Sequence, residues 1–381
     1  MNRQAPTLED VAREAGVSRA TVSRVVNGVR NVDPSIQDLV RSAIERTGYT
    51  PNRAARALVT RRTGAVALIV SGAGDAFAGR VFADPFFGRV VNGVVGYLRA
   101  RTMQPVLLFA ESEAARRQVV DYVGQGSADG ALVVSVQPDD PLPDMLLSAR
   151  VPTVLFARPA RTAPVSCVDL DHYAGGRLAA ERLLARGCRR IAVIGAPPDL
   201  RAGRERLAGF RDALTRAGRD GPPVAEGVFT LDSGATAMGA LLRDHPAVDG
   251  VFAANDLMAQ GACQVLRELG RRIPQDVAVV GFDDSSVAVT CRPPLTTVRQ
   301  PVEEMAAAMA GLLDEQVRGA RSEPRTLLFP PDRAARAPAG PGAPAGGGGP
   351  GRPAAGRGPA AAGGGAPGVG TVRRETRGGR G

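Results

Sequence analysis

Apolar residues change their spacing twice along the chain, and the changes separate three kinds of segment. Over residues 7–50 they recur at helical spacing in short stretches. Thr7 stands where it caps a helix whose first turn carries Glu9 and Asp10, acids that the positive end of the helix dipole favours. Gly16 follows Ala15 where a left-handed helix-ending residue is wanted, and Ser18 is placed to cap a second helix. At about 100° per residue, Val22, Val25 and Val26 share one face of that helix and leave Arg19, Ala20, Ser23, Arg24 and Asn27 on the opposite arc. One side packs; the other is available to a polar partner. A third helix has Asp33 as its cap, Pro34 at its first position, Ile36, Leu39, Val40, Ala43 and Ile44 at helical spacing, and Gly48 as its stop.

From residue 65 the pattern becomes short apolar runs alternating with helical segments. The runs are Ala65–Val70, Val106–Phe109, Gly130–Val136, Val151–Phe156, Arg190–Ile194, Gly250–Ala253 and Val277–Val280, and Gly175–Arg186, Arg204–Ala217 and Ala259–Leu269 are among the helices. Val- and Ile-rich strands separated by helices predict parallel sheets of the βαβ kind, buried on both faces. About 270 residues of this is too much for one sheet of ordinary width, so two α/β lobes with a cleft between them are expected. Ligands of such sheets sit beyond the carboxyl ends of the strands. From Arg333 on, the chain is Ala, Arg, Gly and Pro apart from Val369, Thr371, Val372, Glu375 and Thr376. Too few apolar side chains remain to offset ordering entropy, which predicts a disordered tail. Those four residue types have codons made wholly of G and C, so a reading-frame shift would produce the same text.

Charge sharpens this division. Of the formal +10, residues 1–62 carry +5 and residues 333–381 carry +7, leaving the stretch between slightly acidic. A basic head on a near-neutral body is the layout of a nucleic-acid binder whose larger domain does something else. All basic contacts must come from arginine, because the chain has no lysine. Cys167, Cys188, Cys263 and Cys291 lie far apart without a C-x-x-C pair, which suits buried free thiols better than a disulfide framework or a zinc site. No uncharged apolar run approaches the ~20 residues that span a bilayer, and Met1 to Gly16 lack an apolar leader core, so a cytoplasmic protein is expected.

Three kinds of motif then point the same way. The stretch Thr7-Leu-Glu-Asp-Val-Ala-Arg-Glu-Ala-Gly-Val-Ser-Arg-Ala-Thr-Val-Ser-Arg-Val-Val-Asn-Gly28 resembles the helix-turn-helix headpiece of the lactose/galactose repressor family. Gly48-Tyr-Thr-Pro-Asn-Arg-Ala-Ala-Arg-Ala-Leu58 resembles that family's hinge helix. Asp84-Pro-Phe-Phe87, Arg206-Leu-Ala-Gly-Phe210, Ala254-Asn-Asp-Leu-Met-Ala259, Val280-Gly-Phe-Asp-Asp284 and Pro294-Leu-Thr-Thr297 stand in family order through the body. The resemblance implies a repressor whose grip on DNA is set by a small-molecule effector, expected to be a sugar. It implies an N-terminal all-α headpiece over residues 1–50, a hinge and linker over 51–63, and a two-lobed α/β body of the periplasmic-binding-protein kind over 64–332. Lobe 1 is expected at 64–165 and 294–323, lobe 2 at 166–293 and 324–332, with the tail beyond.

Site residues follow from the resemblance. Arg19, Ala20 and Arg24 would read bases in the major groove, where arginine reaches guanine O6 and N7 with two donors. Thr7, Leu8, Ser18, Thr21, Ser23, Asn27, Tyr49, Asn52 and Arg53 would position the DNA backbone. Leu58, a lone leucine among arginines and alanines with no core to join, suits an apolar wedge between base steps; two wedges side by side require a homodimer on a pseudo-palindromic operator. In the cleft, Arg158, Arg206, Asn255 and Asp283 would meet effector hydroxyls, and Phe86, Phe87 and Phe229 would supply ring faces. Each phenylalanine also suits ordinary core, and Asp283 a helix cap. Three departures stand out: extra residues Ala73–Arg80 before the Asp84 motif, Ala157 where the family commonly has an acid beside Arg158, and the loss of the final apolar strand after Asp332. No catalytic, metal or cofactor residues are expected: the chain has two histidines, no G-x-S-x-G, no phosphate-binding loop and no metal-ligand spacing. The rival readings are a transport-type sugar-binding protein and a corepressor-dependent regulator responding to a nucleobase.

Overall fold

The computed structural model describes residues 6–26, 32–50, 62–73, 77–135, 137, 139–161, 163–320 and 323–334. Asn27, the hinge residues Asn52, Arg53 and Leu58, and the tail from 335 on therefore lie outside the described residues.

The head is three helices, α1 (Leu8–Ala15), α2 (Arg19–Val26) and α3 (Pro34–Thr47). Its stops and starts are the expected ones. The Thr7 hydroxyl accepts from the Asp10 amide while the Asp10 carboxylate accepts from the Thr7 amide, and Gly16 and Gly48 take φ of 64° and 68°, a region costly for any residue with a Cβ. Val11, Ala12, Val22, Val40 and Ala43 form the buried centre, with Val25, Val26, Ile36, Ile44 and Tyr49 packed around it. A core this small tolerates little loss, so the caps matter to it.

The body holds two six-stranded sheets. The first orders β1 (Ala65–Ser71), β2 (Gln104–Ala110), β3 (Ala131–Ser135), β4 (Thr153–Phe156), β5 (Ser166–Leu170) and β11 (Thr326–Phe329) as β11-β5-β4-β3-β1-β2, all parallel. Against it pack α4 (Phe77–Ala83), α5 (Pro85–Arg99), α6 (Glu113–Gly124), α7 (Leu142–Ser148) and α13 (Val302–Val317). The second sheet orders β6 (Ile191–Gly195), β7 (Val224–Glu226), β8 (Gly250–Ala253), β9 (Ala278–Asp283), β10 (Thr296–Arg299) and β12 (Asp332–Ala334) as β12-β10-β9-β8-β6-β7. Its helices are α8 (His172–Ala185), α9 (Arg201–Arg216), α10 (Leu231–Asp244), α11 (Asp256–Glu268) and the short α12 (Ser286–Thr290). The chain crosses between the sheets after Leu170, after Arg299 and after Phe329.

These crossings correct the expected lobe boundaries. β5 pairs with β4 through Val154 and Ser166, so residues 166–170 belong to lobe 1; β10 pairs with β9 through Thr296 and Val280, so 296–299 belong to lobe 2; β11 pairs with β5, so 326–329 return to lobe 1. Strands this short carry no periodicity that says which sheet they join. A second correction concerns the final strand. Although its apolar text is lost, Asp332–Ala334 still pairs antiparallel with β10, Arg299 opposite Asp332, because ladder hydrogen bonds are made by backbone. The tail thus begins later than Arg333. The inserted stretch before Asp84 overlaps α4, where Phe77 is buried against Val70, Val81, Phe87 and Phe109. All four cysteines are buried and free.

Candidate functional site

On the head, α2 presents Arg19, Ala20 and Arg24 to solvent, with Thr21 and Ser23 half-buried beside them. Ser18 caps the helix, its Oγ accepting from the Thr21 amide at 3.1 Å, and the two hydroxyls are 2.9 Å apart. Arg19 reaches back to Glu9 on α1 at 3.0 Å, an exposed pair that contributes little and leaves the guanidinium available to a stronger anion. Thr7 is committed to its cap, Leu8 is half-buried against the head's core and Tyr49 packs there too, so these three shape the surface as well as border it. Arg24→Ala should weaken binding to the specific duplex by about 1–3 kcal/mol, roughly 5- to 150-fold, and binding to random duplex much less. Fluorescence anisotropy on both duplexes checks this; equal losses would reduce Arg24 to a phosphate contact.

In the body, three of the four polar residues that sequence marked, Arg158, Arg206 and Asp283, converge where strands of the two sheets end. Arg206, projecting from α9, is the centre. Its Nη1 donates to the Ala254 carbonyl, its Nη2 to Gln300 Oε1 at 3.3 Å and its Nε to His172 Nδ1 at 3.2 Å, while the guanidinium lies 3.6 Å over the Phe282 ring. Asp283, at the end of β9, places Oδ1 3.7 Å from Nη2. Around this one buried cation stand Asp283, Asp169, Asp256 and Asp84, in falling order of influence, which oppose the loss of charge that burial alone would impose on it. Burial pushes Asp84 and Asp283 above the usual carboxylate range, against the pull of Arg206, and lifts Asp256 to about 6. His172 is pushed down by burial and by Arg206. Because Arg206 Nε donates to its Nδ1, the ring proton sits on Nε2, facing Asp169 Oδ1 at 3.4 Å: His172 is a neutral spacer between a cation and an anion.

Arg158 enters from the end of β4. It donates to Asp169, and its Nη2 reaches Glu205 of α9 in the opposite lobe at 2.9 Å. The acid missing at Ala157 is thus supplied through space by two others. Phe86 stacks edge-on to Phe156 and Phe87 at ring separations of 5.3 and 5.2 Å, half-buried two residues beyond Asp84. Asn255 and Phe229 meet each other rather than this cluster: Asn255 Oδ1 caps α11 through the Met258 amide, and its Nδ2 donates to the Phe229 carbonyl at 3.1 Å. Both polar ends of Asn255 are occupied by protein. Asp283 does not cap a helix; the N-cap of α12 is Ser285.

Sequence reasoning missed five residues of this network. Asp84, Asp169, His172, Asp256 and Gln300 all stand within its bonds or its field. Asp256 accepts from Ser285 N at 2.8 Å, Ser285 Oγ at 3.0 Å and Thr297 Oγ1 at 2.7 Å, pinning the turn after Asp283. Its only signal was its place in the Ala254–Ala259 motif.

A three-helix head with a polar recognition face, joined to two parallel-sheet lobes with buried charges between them, defines an effector-controlled DNA-binding regulator. Comparison with known proteins agrees. Residues 7–52 match the family described as bacterial regulatory proteins, lacI family, and residues 180–337 match the periplasmic binding protein-like domain. The HTH-type transcriptional regulator CelR of Thermobifida fusca is 48% identical over 331 residues, spanning 86% of this chain and 96% of its own. A solved complex of the transcriptional regulator CelR with cellobiose superposes with a TM-score of 0.68 at 45% identity over 87% of this chain and 98% of its own. The lac repressor dimer bound to operator and the anti-inducer ONPF gives 0.73 at 27% identity, covering 87% of this chain and 98% of its own. This chain belongs to the lacI family: it is a transcriptional repressor under effector control and not an enzyme. Among the described residues no helix is long and apolar enough to cross a membrane.

Proposed function

We propose that the protein is a cytoplasmic homodimeric repressor that lays α2 of each headpiece in the major groove of a pseudo-palindromic operator and lets go when a neutral disaccharide, cellobiose or a close relative, enters between the lobes. The observation that carries this reading is the buried set around Arg206. Asp84, Asp169, Asp256 and Asp283 outnumber the cations that face them, Arg206, Arg158 and Arg89, so the cleft favours a ligand rich in hydroxyl donors and disfavours a phosphate or carboxylate. The Phe86 ring offers an apolar face to a sugar's C–H side. The likeness to a CelR–cellobiose complex supports the same class. Within this reading Arg158, Arg206 and Asp283, with Asp84 added, hold the effector, and Asn255 shapes the wall. Leu58 and its neighbours in 51–63 are proposed, on the sequence, as the hinge and linker that follow the lobes.

Titration calorimetry with cellobiose, glucose, cellobiose phosphate and hypoxanthine tests this, together with release of a duplex selected by the protein from a random library. Cellobiose is expected to bind in the micromolar range, about −8 kcal/mol, and to release the duplex. Binding of hypoxanthine with tightened DNA binding would replace this reading with corepression by a nucleobase.

A further inference from the structure

Arg89 of α5 is not among the residues singled out by motif, yet it is the most fully bonded guanidinium at the lobe junction. Its Nε and Nη2 clamp the Glu303 carboxylate at 2.8 and 2.7 Å, at the start of α13 in the same lobe. The same group then reaches out of its lobe. Nη1 donates to the Asp283 carbonyl at 2.8 Å and Nη2 to the Gln300 carbonyl, in the crossing after β10, at 2.9 Å.

Both residues whose carbonyls it holds also turn their side chains toward Arg206: Asp283 through its carboxylate and Gln300 through its amide oxygen. Asp283 and Asp284 have φ of 107° and 54°, backbone conformations that non-glycine residues hold only when their surroundings impose them. Asp256 and Thr297, both of the second lobe, pin the later half of that turn through Ser285 and the Asp284 amide. The earlier half is held by the β10 ladder, through the Gln300 amide at 3.4 Å from the Asp283 carbonyl, and more tightly by Arg89 from the first lobe at 2.8 Å. A rotation of one lobe against the other therefore pulls on the backbone that aims Asp283, and a ligand that seats Asp283 pulls on α5.

We propose that Arg89 is a positioning residue that couples the arrangement of the lobes to the effector site, its Glu303 clamp anchoring it to the first lobe and its two carbonyl bonds gripping the Asp283 turn and the crossing. The coupling to an effector rests on the sugar-responsive reading above; the coupling between lobes and DNA does not. Because operator and effector favour different lobe arrangements, a bond present in one arrangement biases both equilibria with opposite sign. Loss of packing alone has no such signature. Arg89 also borders an open cavity of about 360 Å³, beside Asn92, Asp284 and Ser286, so a shorter side chain leaves no sealed void.

The test uses the full-length protein, with R89M, R89K and E303Q. Affinity for the library-selected duplex is read by anisotropy, cellobiose affinity by calorimetry and Tm by scanning calorimetry. R89M is expected to move the two affinities in opposite directions, each by about tenfold, with E303Q shifting them the same way by less and Tm little changed. Should R89M fail to fold, R89K, which keeps the charge but cannot fork to both carbonyls, is expected to show the same opposite shifts. Unchanged duplex affinity, or losses in both affinities together, overturns the proposal. If the wild type ignores cellobiose, the effector reading fails and the duplex affinity of R89M alone decides: a tenfold shift supports the coupling and no shift overturns it.

Discussion

Replacing Gly209 by alanine should lower the unfolding free energy of the body by about 3 kcal/mol and its Tm by roughly 6–12 °C. The reason is a close crossing of two helices. A Cβ at Gly209 of α9 would stand 1.9 Å from the Tyr173 carbonyl of α8, and a Cβ at Gly176 of α8 would stand 1.9 Å from the Arg206 carbonyl of α9. Both obstacles are backbone, so no side chain can swing away; the helices must part. Packed interiors yield poorly to such separation. The function should suffer as well, since α9 carries Arg206, whose bonds to Ala254, His172 and Gln300 cannot all survive a shift of that helix. Cellobiose affinity in the folded fraction is expected to fall with stability. Gly96→Ala, on the exposed side of α5 where an added methyl meets nothing within 4 Å, is the control and should stabilise by about 0.5–1 kcal/mol. Scanning calorimetry on the two variants separates them; a Gly209→Ala protein with wild-type Tm would mean that α8 and α9 do not cross as closely as described.

Asp283→Asn should weaken the response to effector roughly ten- to a hundredfold while leaving operator binding in its absence near wild type. Asparagine suits the test because it keeps the side-chain shape and tolerates the left-handed backbone better than alanine does. An ionised Asp283 offers two acceptor oxygens to a pair of ligand hydroxyls; the amide replaces one acceptor with a donor, leaving one buried hydroxyl unmatched. A lost hydrogen bond to a buried charge is worth about 1.5–3 kcal/mol, roughly ten- to a hundredfold in affinity. The pH profile carries the sign. Burial raises the Asp283 carboxyl, and hydroxyl donors select its ionised form, so wild-type affinity should strengthen as pH rises through that titration and weaken below it. The Asn variant should be flatter, with Asp84 and Asp256, also raised, leaving a residue of slope. Calorimetry across pH measures both, and a variant that responds normally would remove Asp283 from the ligand contacts.

Where side chains and local backbone decided an element, it was legible in advance. The head's caps at Thr7 and Asp33 and its stops at Gly16 and Gly48 appear where their chemistry requires them, because each is settled within a few residues. Strand cores such as Ala131–Ser135 and Ile191–Gly195 were visible as apolar runs. The strands that escaped, Ser166–Leu170, Val224–Glu226, Thr296–Arg299, Thr326–Phe329 and Asp332–Ala334, are mixed in character and take their place from partners across the sheet. Of the cleft residues expected from motif, Arg158, Arg206 and Asp283 share one buried network, whereas Asn255 and Phe229 are joined to each other. Arg89 carried no signal, since what distinguishes it is a pair of carbonyls about 200 positions away.

The amino-acid sequence alone marks a helix-turn-helix head ahead of two α/β lobes, and places arginines together on one helical arc. Those are properties of period and local spacing, which a chain displays whether or not it is folded. Folding settles the rest: which lobe each of β5, β10 and β11 joins, that Asp169 and Glu205 stand in for the acid absent at 157, that four aspartates surround Arg206, and that the Asp283 turn is held in part from the opposite lobe. Each of these rests on groups remote in sequence brought within a few ångströms, where burial magnifies their fields and leaves no water to take a partner's place.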